Sequence, residues 1–148
     1  MAPIRRILHP SDFSRASAAA FAKAVELAKA NRAELWLVHV LSPVVPMVGD
    51  GYVSPQLYEE LEASAREYAQ TQLAALAAKA KKGGVTAKVA LLDGVAHEQI
   101  ARAARSKRAD LIVIGTHGRT GVAKLFLGSV AGRVVSIAHC PVMTVRGK

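Results

Sequence analysis

The spacing of hydrophobic positions changes from one stretch of the chain to the next, and the changes mark out alternating strands and helices. Residues 4–9 (IRRILH) predict a short strand stopped by Pro10, after which Ser11, Asp12, Phe13 and Ser14 turn the chain into a helix with Ser14 as its N-cap. Over residues 15–31 an alanine-rich run sets Ala18, Phe21, Val25 and Ala28 on one stripe, with Lys23, Glu26 and Lys29 outside it. Residues 34–41 (ELWLVHVL) form a second buried strand. Residues 42–54 hold Pro43, Pro46, Gly49 and Gly51 and follow neither period. Pro55 opens a long helix carrying Leu57, Leu61, Ala65, Tyr68 and Leu76 at helical spacing; Gly83 and Gly84 end it after Lys81 and Lys82. Its length leaves room for a solvent-exposed end. Residues 85–92 alternate, with Thr86 and Lys88 opposite Ala87 and Val89, as a strand at a sheet edge does.

A further helix begins near Ala96, turns Ile100 and Ala104 inward and returns the chain to Asp110. Leu111, Ile112, Val113 and Ile114 then form an unbroken apolar run, the pattern of a parallel strand covered on both faces. Gly115, Gly118 and Gly121 punctuate the loop that follows. Lacking Cβ atoms, these positions allow φ > 0 and close approach of a ligand to the backbone N–H groups. Gly128 and Ser129 open the last helix, with Ser129 predicted as its N-cap, and residues 141–145 give a final strand. Strand and helix alternate throughout, which requires one Rossmann-like α/β domain over residues 1–148: a five-stranded parallel sheet with helices on both faces. Ligands of such sheets sit beyond the carboxyl ends of the strands, where strand order reverses. The first and fourth strands are expected to flank that point, at His9, Pro10, Ser11 and Asp12 on one side and Gly115, Thr116, His117 and Gly118 on the other.

Composition narrows the classes. A hydrophobic fraction of 51% in 148 residues is ample for a core, and no apolar run approaches the length that spans a bilayer. Arg5 and Arg6 interrupt any signal-like start, so a cytoplasmic protein is expected. The single cysteine, Cys140, excludes an internal disulfide and a cysteine zinc site. Five histidines, at 9, 39, 97, 117 and 139, lack metal-site spacing, and no metal is assigned. The net charge of +9 is uneven: residues 1–74 hold 7 Lys+Arg against 8 Asp+Glu, residues 75–148 hold 13 against 3. The second half, at +10, suits an anionic ligand. Arg102, Arg105, Lys107 and Arg108 resemble the solvated side of one helix, and aromatic residues for base stacking are scarce, so nucleic acid is not the expected partner.

The helix start at Gly128, Ser129 and Val130 offers unpaired N–H donors and a partial positive charge to a phosphate. Neither a Walker A loop nor a G-x-G-x-x-G fingerprint is present. Gly115, Gly118, Gly128 and Ser129 do resemble the G-x2-G-x9-G-[S/T] signature of the ATP-binding branch of the universal stress protein family. The opening ILHPSDFS and the later GVAHEQI are similar to that family's other motifs, and the resemblance spans nearly the whole chain, residues 42–54 least. It implies ATP, with or without Mg²⁺, as the ligand, with Pro10 and Asp12 against the adenosine and Val40 bordering the base. It also implies a homodimer through the final strand, where Val142, Met143 and Val145 put apolar side chains on both faces of an expected edge.

From residue chemistry alone, Asp12 suits either a ribose-binding carboxylate or an auxiliary cap of the first helix. His117 is either a phosphate donor or a turn residue, and Arg119 and Lys124 are either phosphate neutralisers or solvated surface. No nucleophile elbow and no paired carboxylates stand at a suitable junction, so no catalytic residue is assigned. The leading expectation is a nucleotide-dependent stress-response sensor or regulator. A slow ATPase or nucleotidyl transferase on the same scaffold, and a basic interaction module without nucleotide, are the alternatives.

Overall fold

The computed structural model describes residues 3–42, 54–116 and 128–147. In chain order these form β1 (Arg6–Pro10), α1 (Arg15–Asn31), β2 (Glu34–Leu41), α2 (Pro55–Lys82), β3 (Ala87–Asp93), α3 (Ala96–Ser106), β4 (Leu111–Thr116), α4 (Ser129–Ile137) and β5 (Val142–Arg146). All strand pairs are parallel and the sheet order is β3-β2-β1-β4-β5, so the chain works outward from β1 to β3 and then restarts on the other side with β4 and β5. The expected fold class and the reversal between β1 and β4 are both present.

Side-chain alternation along the strands divides the interior into two layers. Ile7, Leu35, Leu37, Leu111 and Val113 face α1 and α2, while Leu8, Val38, Ile112 and Ile114 face α3 and α4. Fully burying one such Leu, Ile or Val stabilises the fold by roughly 1.5–3 kcal/mol, and the central strands bury side chains on both faces at once. Small residues bring α1 close to the sheet: its inward stripe is Ser17, Ala20, Ala24 and Ala28, flanked by Phe21 and Val25. Ala18, expected on that stripe, is exposed. Three alanines packed flat against β1 and β4 leave the two larger side chains at the margins.

Start and stop signals act largely as local chemistry requires. Ser14 accepts a hydrogen bond from the Ser17 N–H at the start of α1, and Ser54 accepts one from the Leu57 N–H ahead of Pro55. Gly83 caps α2, and Gly84 takes φ +91°. The first half of α2 extends past the sheet, leaving Leu57, Leu61 and Tyr68 exposed; its buried residues are Ala69, Leu73 and Ala80. Several bounds differ from expectation: β1 and β3 begin at Arg6 and Ala87, β4 continues to Thr116 and β5 to Arg146. Arg32 and Arg108, after α1 and α3, adopt left-handed backbone at φ 52° and 54°, positions usually held by glycine. Each costs on the order of 1 kcal/mol relative to glycine.

Candidate functional site

At the reversal the sheet opens. The β1–β2 ladder runs through Pro10↔Val38 and the β4–β5 ladder through Thr116↔Arg146, whereas β1 and β4 pair only at Ile7↔Leu111 and Leu8↔Ile112. Pro10 has no N–H to continue a ladder. The Val113 carbonyl exposed by the parting is taken instead by the His9 side chain, whose Nδ1 donates to it at 2.8 Å. His9 is fully buried, and burial pushes its pKa down to about 4, against the raising effects of the Val113 carbonyl and of Asp12. It is therefore a neutral spacer between the strands.

Beyond the parting lies an open-mouthed cavity. Pro10, Ser11 and Asp12 line it from β1 and the turn after it, His39 and Val40 from β2, Gly115 and Thr116 from β4, and Gly128, Ser129 and Val130 from the start of α4. The structure thus gathers seven of the expected site residues, Pro10, Asp12, Val40, Gly115, Gly128, Ser129 and Val130, around one space. His117, Gly118 and Arg119, and with them Gly121 and Lys124, lie outside the described residues.

The two ends of the cavity differ chemically. At the β1 end, Asp12 Oδ1 accepts from the Ser14 N–H at 2.9 Å and the Ser17 hydroxyl at 2.6 Å. Partial burial raises its pKa, but these hydrogen bonds outweigh it and the net shift is downward, so Asp12 is an ionised acceptor at neutral pH. The capping role is therefore present, and it orients the carboxylate at the cavity wall. At the other end, Gly128 is the N-cap of α4 and Ser129 its first helical residue, with no side-chain hydrogen bond to the cap and no acidic residue in the first turn. That corrects the expectation for Ser129. Because no side chain caps the helix among the described residues, its first N–H groups are available as donors at the cavity lining.

Gly115 also has a different reason for being glycine. Its φ is not positive; instead, a Cβ there would sit 2.5 Å from the Ala16 carbonyl oxygen and 3.0 Å from the Ser17 N. Close packing of the α1 backbone on β4, rather than ligand approach, forbids the side chain.

Sequence reasoning missed the ring pair beside Asp12. Phe13 sits at φ 66°, rare for an aromatic residue, and stacks on His39 with centroids 4.4 Å apart, while His39 Nδ1 donates to the Ser11 carbonyl at 2.6 Å. Tyr68 meets Phe13 edge-on at 6.1 Å. These contacts hold the Ser11–Asp12 turn against β2. A polar residue within the apolar run ELWLVHVL was the available signal for His39; nothing in the sequence marks Phe13 as left-handed. No cluster of three potential metal ligands occurs among the described residues, and no described helix is long and apolar enough to cross a membrane.

Comparison with known proteins covers the same ground. The profile described as the universal stress protein family matches residues 3–146. Universal stress protein MJ0531 of Methanocaldococcus jannaschii is 38% identical over 144 residues, covering 96% of this chain and 82% of that protein. The solved universal stress protein UspA from Lactobacillus plantarum superposes with a TM-score of 0.81 at 26% identity, covering 99% of this chain and 100% of that one. A universal stress protein from Archaeoglobus fulgidus in complex with dAMP shares the fold at a TM-score of 0.66 and 24% identity, over 97% and 99% of the two chains.

Proposed function

Since this chain belongs to the universal stress protein family, we propose that it is an ATP-binding regulator of a stress response, working in the cytoplasm as a homodimer. One observation carries the nucleotide reading: a single cavity at the parting of β1 and β4 is lined both by an ionised carboxylate and by the N-terminus of α4, whose cap residue Gly128 has no side chain. A nucleotide has the complementary order of groups. Its ribose hydroxyls donate to Asp12, its phosphates accept from the N–H groups of Gly128, Ser129 and Val130, and its base lies against Pro10 and Val40. The dAMP complex of the Archaeoglobus fulgidus protein supports an adenine nucleotide as ligand in this fold. We assign Gly115, His117, Gly118 and Arg119 to the phosphate end as well, from their place in the signature; ATP with or without Mg²⁺ is the ligand.

Mass spectrometry of nucleotide released from the purified protein, with calorimetry of ATP binding, tests this reading. ATP is expected to bind the parent, and Gly118→Val is expected to obstruct the phosphate end. Parent protein that binds no adenine nucleotide, or a Gly118→Val variant that binds ATP like the parent, refutes the site.

Turnover is expected to be very slow. Rapid phosphoryl transfer needs an aligned nucleophile, a group to orient it and cations set against developing charge. The helix start and ribose carboxylate described here hold a ground state. Phosphate release at an ordinary enzymatic rate, on the order of 1 per second, together with its loss in His117→Ala at unchanged ATP affinity, would favour the enzyme reading instead. The homodimer reading is supported by β5, an edge strand with Met143 exposed and Val142 and Val145 turned to opposite layers. An apolar edge of this kind pairs readily with a second copy. Light scattering that finds the parent monomeric at micromolar concentration rejects it.

A further inference from the structure

The opposite end of the sheet carries charge that the cavity does not use. Arg5 precedes β1 and Arg6 is its first residue, Arg32 precedes β2, Lys88 lies near the start of β3, and Lys107 and Arg108 precede β4. Backbone contacts fix them to one end: the Glu34 N–H donates to the Arg5 carbonyl and the Asp110 N–H to the Arg6 carbonyl. Lys107 and Lys88 both lie over the Trp36 ring, at 4.3 and 5.5 Å from its centroid. Against these six cations stand Glu34 and Asp110. Asp110 is occupied by the backbone N–H groups of Arg5 and Arg6, and Glu34 by Lys88 and the Trp36 indole N–H. Among the described residues none of the four arginines has an ion-pair partner.

A second observation makes this more than a solvated margin. Cations at helix C-termini are favoured by the helix dipole, which accounts for a basic residue near each end. It does not account for arginine at the left-handed position itself. Arg32 and Arg108 both occupy that backbone, after different helices but at the same end of the sheet, whereas the corresponding junction after α2 uses Gly84 at φ +91°. Twice, then, the chain places a guanidinium where glycine would be free of strain.

We propose that this amino-terminal edge of the sheet, from Lys88 across Arg32, Arg5 and Arg6 to Arg108, is a docking surface for the phosphodiester backbone of a nucleic acid. Adjacent strands lie about 4.8 Å apart, so the row from β3 to β4 extends about 14 Å in one direction. Its unpaired members are mostly arginine, whose planar fork suits phosphate oxygens. The row collects residues from separate segments, so it is invisible in any single stretch of sequence. It is independent of the nucleotide reading and lies at the other end of the strands from that cavity.

Fluorescence anisotropy with a short labelled DNA duplex, and with RNA of the same sequence, tests the surface. The parent is expected to bind at least one of them, with affinity falling steeply as salt rises. In Arg32→Gly/Arg108→Gly the strained backbone is relieved, so thermal stability is expected to be retained. Duplex or RNA affinity near 0.1 M salt is expected to fall about tenfold or more, and the log–log salt slope to become shallower by about 2, near one per lost phosphate contact. Lys23→Gln/Arg66→Gln removes the same charge from α1 and α2 and is expected to change neither. The proposal is overturned by absence of binding to both probes, by an unchanged slope in the double glycine variant, or by equal loss in the lysine–arginine control. It is equally overturned if stoichiometric ATP displaces the probe, which would place it in the cavity, or if phosphatidylglycerol vesicles bind through the same arginines more tightly than either nucleic acid.

Discussion

His9 offers a pH test of the parting between β1 and β4. Its ring is fully buried, Nδ1 is committed to Val113, and Nε2 has no partner among the described residues. Protonation would add a buried charge, so the folded-state pKa falls from 6.5 to about 4. The sign follows from proton counting: between those values the unfolded chain binds a proton at this residue and the folded chain does not. Stability contributed by His9 chemistry is thus intact above pH 6.5, is lost as pH falls toward 4, and changes little below that. A difference of about 2.5 units at 1.36 kcal/mol per unit corresponds to about 3 kcal/mol, a large share of a typical domain's stability. His9→Asn keeps an N–H for the Val113 carbonyl and removes the titration, at a cost of about 1–3 kcal/mol at pH 7 from lost ring volume. Urea unfolding of parent and variant, measured from pH 7 to pH 4, should therefore show the parent losing about 3 kcal/mol relative to the variant, so that the gap closes and the variant becomes at least as stable as the parent at pH 4. A gap constant to within about 0.5 kcal/mol across that range would refute the picture of a neutral, desolvated spacer.

Gly115→Ala forces a methyl group against the Ala16 carbonyl at 2.5 Å, where both partners are backbone, so chemical denaturation should show a loss of about 1–3 kcal/mol; a variant as stable as the parent contradicts the packing explanation. Asp12→Ala removes the acceptor for Ser14 N and the Ser17 hydroxyl and should cost about 0.5–2 kcal/mol at neutral pH along with ATP affinity. Because the folded carboxyl is depressed, that stability is present above the unfolded pKa and lost as pH falls through the folded one. The gap between parent and variant should close in acid, and a gap that widens there counts against the capping geometry.

Much of the scaffold was legible because its signals are local. Ser14, Pro55 and Gly83 mark helix ends by chemistry that depends on adjacent backbone, and the predicted spans 15–31 and 34–41 coincide with α1 and β2. The parallel sheet, with its reversal between the first and fourth strands, followed from alternation and crossover handedness. Failures arose where long-range contact outweighs local preference. The inward stripe of α1 is set by how closely alanines meet β1 and β4, so Ala20 and Ala24 win over Ala18. Gly115 owes its identity to Ala16, 99 positions earlier, by subtraction of their numbers. Phe13 is left-handed because His39 and Tyr68 hold its ring, and the basic amino-terminal edge exists only after parallel pairing brings residues 5, 32, 88 and 108 together.

The cavity and the β5 edge are not independent surfaces, and that bears on how a bound nucleotide would reach a partner. Ala16, in the first turn of α1, lines the cavity; a Cβ on Gly115 would meet its carbonyl and a Cβ on Gly147 its Cα, each at 2.5 Å. The Gly147 N–H donates to the carbonyl of Thr116, another cavity residue, at 3.3 Å. The end of β5 therefore rests on the same backbone that carries Ser17, the partner of Asp12. Interiors packed this closely resist local adjustment, so a ligand that pulls Asp12 and Ser17 toward itself also loads the Ala16 contact beneath β5. Linkage makes the coupling measurable: if ATP alters dimer affinity, dimerisation must alter ATP affinity by the same factor. Met143→Lys, at the exposed edge and away from the cavity lining, should give a monomer whose ATP dissociation constant differs several-fold from that of the parent in its proposed dimer. Calorimetry on the two proteins decides it, because equal constants would mean that β5 and the cavity share a boundary without exchanging free energy across it.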